Sequence, residues 1–180
     1  MKEIYVFDID GCVLPQIFPN ITENNSTSEK VIKESLERSK NVILYDEFVE
    51  FYEKNCINAY RVVFITGRKR RSLGEMTDEQ LSPLRKTRTP DIIYYPEDKD
   101  HVVTDYFDWK VEKVQEVIKK DVHRGNDVSN GNLRKDLIFK IYDDMPEYFS
   151  KIQEIAENQG INVVLTPIKG PEDWKDLINK

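Results

Sequence analysis

Residues 5–15 read YVFDIDGCVLP, a hydrophobic run that ends at two aspartates one residue apart, followed by glycine. The run has the length and the β-branched and aromatic content of a buried strand. Asp8 and Asp10 therefore stand where the most strand-like segment of the chain stops. This placement makes the pair the starting point for predicting both the fold and the function.

Four other segments have the same character, which gives five predicted strands. They are residues 3–9 (EIYVFDI), 61–66 (RVVFIT), 91–96 (DIIYYP), 137–143 (LIFKIYD) and 161–166 (INVVLT). Helical patterns lie between them, for example over residues 47–55 and 145–160. Alternating strands and helices, with strands that are hydrophobic throughout, predict a mainly parallel sheet with helices on both faces. The predicted fold class is α/β, a Rossmann-like three-layer sandwich around a five-stranded sheet.

The chain has 180 residues, of which 39% are hydrophobic and 33% charged. These values are typical of one globular domain, so we expect residues 1–180 to form a single domain. A polar loop and a predicted helix at about 28–38 form a small insertion at residues 15–44. No apolar run has the length of a membrane span and no signal peptide is recognisable, so we expect a cytoplasmic protein with no membrane partner. Cys12 and Cys56 lack the spacing of a metal site, which indicates free thiols.

Positive charge is concentrated in one segment of an acidic chain. The formal net charge is −6, yet residues 61–90 contain eight Lys or Arg residues against three acids. That segment carries +5 and the remainder −11. A solvated helix face accounts for such a run, and so does a surface that binds a polyanion. Because RKRR (68–71) directly follows the second strand, the basic run begins at the edge of the sheet where ligands bind.

Acidic side chains follow two of the predicted strands. Asp8 and Asp10 end the first strand, and Asp143 and Asp144 end the fourth. Since the carboxyl ends of parallel strands share one edge of a sheet, we expect four carboxylates to converge there. Two like charges about 4 Å apart repel by about 4 kcal/mol at an intermediate dielectric, so the cluster requires a cation. Mg²⁺ prefers oxygen ligands of this kind together with a substrate phosphate.

Each acidic pair also has an ordinary interpretation. Asp8 and Asp10 alone are compatible with solvated turn acids, and Asp143 with Asp144 is compatible with a cap for the helix near MPEYF. Both pairs lie at strand ends, with the right elements between them. Together they favour a shared metal site.

Four segments resemble, in order, the motifs of the haloacid dehalogenase (HAD) superfamily, and specifically its phosphatases. They are VFDIDG (6–11), VVFITGR (62–68), a lysine at the start of the helix after the third strand, and IFKIYDD (138–144). The resemblance extends from residue 4 to about residue 145. It implies a Mg²⁺-dependent phosphatase that works through an aspartyl-phosphate. Cys12 stands where many relatives have Thr or Val, and the chemistry does not depend on that side chain.

The resemblance implies a role for each catalytic position. Asp8 is the nucleophile that takes the phosphoryl group, and Asp10 protonates the leaving oxygen and then activates water. Thr66 donates its hydroxyl to a phosphoryl oxygen. Gly67 and Arg68, which follow it, are the implied substrate-binding residues.

The remaining implied roles belong to the metal and to a lysine. Asp144 holds a metal-bound water or supports the lysine. Lys110 and Lys113 both occupy the helix after the third strand, and TDYFDWKVEKV resembles the branch in which the lysine opens this helix after an aromatic residue. We therefore assign the role to Lys110 and expect Lys113 to be solvated. The implied metal ligands are Asp8, Asp10 and Asp143.

The space around the site bears on the substrate. Superfamily members select substrates largely through inserted caps, and residues 97–108 (EDKDHVVTDYFD) are too few for one. An open site suits a phosphate on a large molecule. ITGR, PDIIYYP and FDWK are also similar to the phosphatase domains of polynucleotide end-repair enzymes, so a nucleic-acid end is the favoured substrate. Tyr94, Tyr95 and Tyr106 are candidates for base stacking, although we expect Tyr94 or Tyr95 in the core.

Two other interpretations stay open. The phosphatase can act on a small phosphorylated metabolite instead of a nucleic acid. A signalling receiver or another non-catalytic binding domain also combines an acidic cluster with a threonine and a lysine. In receivers, however, the acidic pair ends the first strand and the phosphorylated aspartate ends a middle one. Here the DxD comes first and the DD comes late, which disfavours a receiver.

Overall fold

The computed structural model describes residues 1–17, 37–99, 103–123 and 136–180. Within these ranges the chain forms a five-stranded, fully parallel sheet in the order β3-β2-β1-β4-β5. The strands are β1 (Lys2–Phe7), β2 (Arg61–Lys69), β3 (Asp91–Tyr95), β4 (Leu137–Asp143) and β5 (Asn162–Pro167). The helices are α1 (Asp46–Asn55), α2 (Arg70–Leu81), α3 (Val103–His123), α4 (Phe149–Gln159) and α5 (Pro171–Ile178), with short 3₁₀ helices at Ser82–Lys86 and Pro146–Tyr148.

The central strands bury side chains on both faces of the sheet. Along β1, Tyr5 and Phe7 point to one face and Ile4 and Val6 to the other, as strand geometry requires, and none is more than 2% exposed. The first face packs against α1 and α5, and the second against α3 and α4. The chain therefore forms helix, sheet and helix layers, and the predicted α/β fold class is confirmed.

Strand β1 lies at the centre of the sheet, between β2 and β4. The chain moves outward through β2 and β3 on one side, then returns to place β4 and β5 on the other. The carboxyl ends of β1 and β4 flank the point where the strand order reverses, which is where open α/β sheets bind ligands. Phe7 pairs with Tyr142, and the N–H of Asp8 donates to the Tyr142 carbonyl at 3.0 Å. Asp8 and Asp143 therefore leave adjacent strands at the same level.

Strand β2 is longer than the sequence predicts. It continues past Thr66 to Lys69 because its pairing with β3 resumes after a register shift. Thr66 pairs with Tyr94, and Lys69 pairs with Tyr95, the next residue of β3. The intervening residues 67–68 form a bulge, a feature that redirects side chains next to functional sites.

Helix α3 begins earlier than the sequence predicts. It starts at Val103, so Lys110 lies about two turns inside the helix and does not open it. Tyr106, Trp109 and Lys110 are buried at helical spacing, which extends the inward face of the helix toward its N-terminus. Only residues 96–102 separate β3 from α3, a connection too short for a folded cap domain.

The predicted insertion at residues 15–44 is described only in part. Residues 18–36 lie outside the described residues, and with them most of the helix predicted at 28–38. Residues 37–39 are helical, where the end of that helix is expected. Among the described segments, no helix combines the length and the apolar character needed to cross a membrane.

Candidate active site

The turn after β1 sends the two aspartates of the DxD pair in different directions. Gly11 adopts a left-handed conformation with φ of +82°, and its N–H donates to the Leu14 carbonyl at 2.9 Å. Glycine is favoured in this conformation because a glycine residue has no Cβ. Asp8 is 6% exposed and faces β4 and α3, whereas Asp10 is partly exposed and faces β2.

Lys110 joins the ends of β1 and β4. Its side chain is 1% exposed, and its Nζ donates to Asp8 Oδ1 at 2.6 Å and to Asp143 Oδ2. Burial lowers the pKa of Lys110, but Asp143 and Asp8 outweigh this effect and hold the pKa well above its ordinary value. Lys113 instead pairs with the exposed acids Glu112 and Glu116. Of the two candidate lysines, the structure brings Lys110 into the site.

Asp143 is held by two donors besides the lysine. Its Oδ1 accepts the N–H of Met145 at 2.9 Å, and its Oδ2 accepts the hydroxyl of Tyr148 at 2.7 Å. Tyr148 is 3% exposed and also lies beside Lys110, whose Nζ is 5.7 Å from the centre of its ring. Tyr148 is not among the site residues predicted from the sequence. Its position in the MPEYF segment, one turn after the second acidic pair, is the signal that could have found it.

Asp144 lies close to the turn after β1. A Cβ on Gly11 would come within 2.5 Å of Asp144 Oδ2, so the glycine leaves room for this carboxylate. Burial and the neighbouring Asp143 raise the pKa of Asp144 to about 7. Asp144, which is predicted to hold a metal-bound water or to support the lysine, belongs to the acidic cluster itself.

Three carboxylates form a group that fits a divalent cation. Asp8, Asp143 and Asp144 each offer an oxygen, and these three oxygens lie within 4.8 Å of one another. Lys110 balances one of the three negative charges. Burial raises the pKa of Asp8 well above its ordinary value, Lys110 opposes this effect, and the neighbouring acids add to it. A divalent cation would neutralise the remaining two charges, and oxygen donors of this type suit Mg²⁺.

Asp10 lies outside this group of three carboxylates. Its two oxygens accept hydrogen bonds from Arg68, Oδ2 from Nε at 2.9 Å and Oδ1 from Nη2 at 2.8 Å. Arg68 is 2% exposed, and the bulge in β2 directs its side chain toward the turn after β1. The pair has the two-pronged geometry in which arginine fixes a carboxylate most firmly. Two predicted roles stay predictions. They are the Asp10 side chain as a metal ligand and Arg68 as a substrate ligand.

Thr66 and Gly67 lie where β2 reaches the site. Thr66 is fully buried, and its Oγ1 accepts the N–H of Arg68 at 3.2 Å. A Cβ on Gly67 would lie 3.1 Å from a ring carbon of Tyr106, so the glycine permits β2 to approach α3 closely. The predicted contacts of Thr66 and Gly67 with a phosphoryl group stay predictions.

The aromatic residues proposed for base stacking divide into two groups. Tyr95 is 1% exposed and Tyr106 is 7% exposed, and both pack against Trp109 in the core beneath α3. Neither ring is available to a base, which corrects that part of the prediction. Tyr94 is half-buried and lines a surface cleft of about 610 Å³ between α2 and β3.

Comparison with known proteins shows the fold. No family model and no curated protein matches the sequence. Among solved structures, the HAD domain of effector protein Lem4 from Legionella pneumophila is similar, with a TM-score of 0.52 at 14% identity. The match covers 99% of this chain and 92% of that one. The architecture is HAD-like.

Proposed function

We propose that this chain is a Mg²⁺-dependent phosphohydrolase that forms an aspartyl-phosphate on Asp8. The observation that carries the proposal is the lysine bridge between β1 and β4. Lys110 binds Asp8 and Asp143 at the switch point of the sheet, and Asp144 completes a carboxylate group within 4.8 Å. An acidic cluster that a divalent cation would neutralise, beside a buried lysine, is suited to a dianionic phosphate.

The first step transfers the phosphoryl group to the protein. A carboxylate oxygen of Asp8 attacks phosphorus and the ester P–O bond breaks. Asp10, which must be protonated when the substrate arrives, gives its proton to the leaving oxygen. Lys110 favours the charged form of Asp8 against the effect of burial, and it orients the carboxylate through its 2.6 Å hydrogen bond. A bound Mg²⁺ supplies positive charge that screens the phosphate oxygens from the attacking carboxylate.

The second step returns the protein to its starting state. Water attacks phosphorus and loses a proton to Asp10, while the bond between phosphorus and Asp8 breaks. The products are inorganic phosphate and the free Asp8 carboxylate. In this step Asp10 acts as a base, and its pairing with Arg68 holds the carboxylate beside the turn that carries Asp8. Thr66 supports both steps by offering its hydroxyl to a phosphoryl oxygen.

The favoured substrate is an accessible phosphate on a large molecule such as a nucleic-acid end. The short connection between β3 and α3 leaves no room for a cap domain at that point, which favours an open site. Arg70 and Arg71 are exposed at the start of α2, directly after the last residue of β2. They line the 610 Å³ cleft together with Tyr94 and with three acids, Glu75, Asp78 and Asp91. The arginines next to the aromatic ring are the feature that suits a phosphodiester strand.

We also place the protein in the cytoplasm. Cys12 and Cys56 are both free and buried, as expected for thiols in a reducing compartment.

A phosphate-release screen tests the proposal. Oligonucleotides with 3′- or 5′-phosphates, sugar phosphates and phosphopeptides are compared with and without Mg²⁺, and Asp8→Asn serves as the inactive control. Mg²⁺-dependent release that Asp8→Asn abolishes supports the reaction, and a preference for oligonucleotides supports the substrate class. Faster release from sugar phosphates favours the metabolite alternative. Stable phosphorylation without release, or no reaction in any arm, favours a receiver or a non-catalytic binding domain.

A further inference from the structure

A single glutamine connects the Arg68–Asp10 pair to the chain segment that precedes α1. Gln80, in the last turn of α2, accepts a hydrogen bond from Arg68 Nη1 at 2.6 Å through its Oε1. Its Nε2 donates to the carbonyls of Ser39 at 3.3 Å and Val42 at 3.0 Å. Gln80 therefore uses both ends of its amide in this link.

The partners of the amide determine its orientation. The carbonyls of Ser39 and Val42 only accept hydrogen bonds, so the NH₂ group of Gln80 must face them. The amide oxygen consequently faces Arg68, whose guanidinium only donates. The reversed amide would place the NH₂ group against a guanidinium N–H and the oxygen against two carbonyls. The structure therefore presents an acceptor to Arg68 at a defined place.

Each nitrogen of the Arg68 guanidinium donates to an acceptor at a defined place. Nε and Nη2 of Arg68 donate to Asp10, while Nη1 donates to Thr77 Oγ1 at 2.9 Å and to Gln80. The Thr77 hydroxyl spends its own hydrogen on the Leu73 carbonyl at 2.7 Å, so it can only accept from Arg68. Partners on two sides of the guanidinium select one conformation of a long side chain that otherwise has many. Asp10, whose side chain is 14% exposed, depends on that conformation for its position.

We infer that Gln80 is a positioning residue for Asp10 in the phosphoryl-transfer reaction, acting through Arg68. The inference rests on the proposed function for its catalytic meaning and on the contacts above for its physical basis. Gln80 would orient the group that gives a proton to the leaving oxygen, without contacting the substrate. A purely structural alternative is that Gln80 only ties α2 to the carbonyls of Ser39 and Val42.

Two substitutions separate these roles. Gln80→Met has similar length and removes both the acceptor for Arg68 and the donor for the carbonyls. Gln80→Glu also loses the donor, but it keeps an oxygen facing Arg68. The matched control is Gln153→Met on the exposed face of α4, where the glutamine bonds to Glu157 in its own helix. A structural role makes the two Gln80 variants alike, and a positioning role makes them differ.

The kinetic test uses two leaving groups. p-Nitrophenolate departs without a proton, whereas an alkoxide needs one, so only ethyl phosphate depends strongly on a placed acid. We expect Gln80→Met to lower kcat/KM, which reports the transfer to Asp8 and not the later hydrolysis, by about 10-fold for ethyl phosphate and by less than about 2-fold for p-nitrophenyl phosphate. Gln80→Glu and Gln153→Met should retain the parent ratio of the two rates. Equal loss on both substrates in both Gln80 variants would overturn the inference.

An NMR measurement of the Arg68 side chain tests the positioning role without relying on turnover. The Arg68 Nε–H is buried against Asp10, so its ¹H–¹⁵N signal should exchange slowly with water, and Arg68→Lys assigns it by its disappearance. We expect the signal to be lost by exchange in Gln80→Met and retained in Gln80→Glu. An unchanged Arg68 signal in Gln80→Met would refute the positioning role. If the parent protein releases no phosphate while Gln80→Met loses the signal, the link to Arg68 stands and the proposed reaction falls.

Discussion

Two glycines with left-handed backbones allow the acidic cluster to be tested by one added methyl group. Within the described residues, positive φ occurs only at Gly11, at +82°, and Gly160, at +63°. A Cβ at Gly160, just after α4, would meet nothing within 4 Å. A Cβ at Gly11 would lie 2.5 Å from Oδ2 and 3.0 Å from Cγ of Asp144. Gly11→Ala therefore displaces the Asp144 carboxylate, and Gly160→Ala is the matched control for the backbone.

The two variants should lose similar stability but differ in their response to Mg²⁺. An alanine in the left-handed region costs about 1–2 kcal/mol at either position. The additional contact at Gly11 falls on the end of a side chain, which yields more easily than backbone. If Mg²⁺ at 100 times its Kd stabilises the parent by about 2.7 kcal/mol, a Kd raised about 10-fold by the displaced carboxylate leaves about 1.4 kcal/mol.

Urea unfolding with and without Mg²⁺ measures these quantities directly. We expect Gly160→Ala to keep the full Mg²⁺ increment in the free energy of unfolding, and Gly11→Ala to keep about half of it. Equal increments in the two variants would refute the assignment of Asp144 to the cation site. The absence of any increment in the parent protein would refute the site as a whole.

Three further predictions concern the same cluster. Tyr148→Phe removes the hydrogen bond to Asp143, so it should lower the free energy of unfolding by about 1 kcal/mol and weaken Mg²⁺ binding about 10-fold, as measured by titration calorimetry. Lys110→Met leaves the buried acids without the positive charge of the lysine, so it should lower the free energy of unfolding by about 3–5 kcal/mol and abolish phosphate release. Mg²⁺ should raise the Tm of this variant more than that of the parent. Lys113→Met is the control, because its exposed pairs should contribute less than about 1 kcal/mol. The raised pKa of Asp144, about 7, means that the folded state without metal binds a proton that the unfolded state has released above about pH 4. Stability in EDTA should therefore fall as the pH rises from about 5 to 8, a loss that Mg²⁺ prevents; a flat profile in EDTA would contradict it.

The order of elements and the convergence of the acids could be predicted because both depend on simple periodicity. The central strands β1, β2 and β4 are nearly continuous hydrophobic runs, which is the pattern of a strand buried on both faces. Parallel strands end at one edge, so the two acidic pairs had to meet wherever β1 and β4 became neighbours. That adjacency explains why residues 135 positions apart in the chain share one lysine.

The partner of Asp10 could not be predicted because it depends on a local irregularity. A regular β2 ending at Thr66 leaves Arg68 in a loop, where its side chain would be free to reach a substrate. The bulge at residues 67–68 instead turns Arg68 inward, against Asp10, Thr77 and Gln80. No periodic pattern encodes a register shift of this kind.

The role of Tyr148 was missed for a related reason. A tyrosine among hydrophobic residues has the same pattern whether its hydroxyl faces water or a carboxylate. The bond to Asp143 depends on how the short 3₁₀ helix at Pro146–Tyr148 leads from β4 into α4. Local geometry of this kind becomes visible only in the folded chain.

In the proposed reaction Asp8 accepts the phosphoryl group, and a rapid-quench experiment can detect this group on the protein. The protein is mixed with Mg²⁺ and a ³²P-end-labelled oligonucleotide, stopped in acid within one turnover, digested, and analysed for labelled peptides. We expect label on the peptide that contains Asp8. This label should be sensitive to hydroxylamine, as an acyl phosphate is, and absent from Asp8→Asn. Phosphate release by the parent without any label on this peptide, or release by Asp8→Asn at the parent rate, would contradict it.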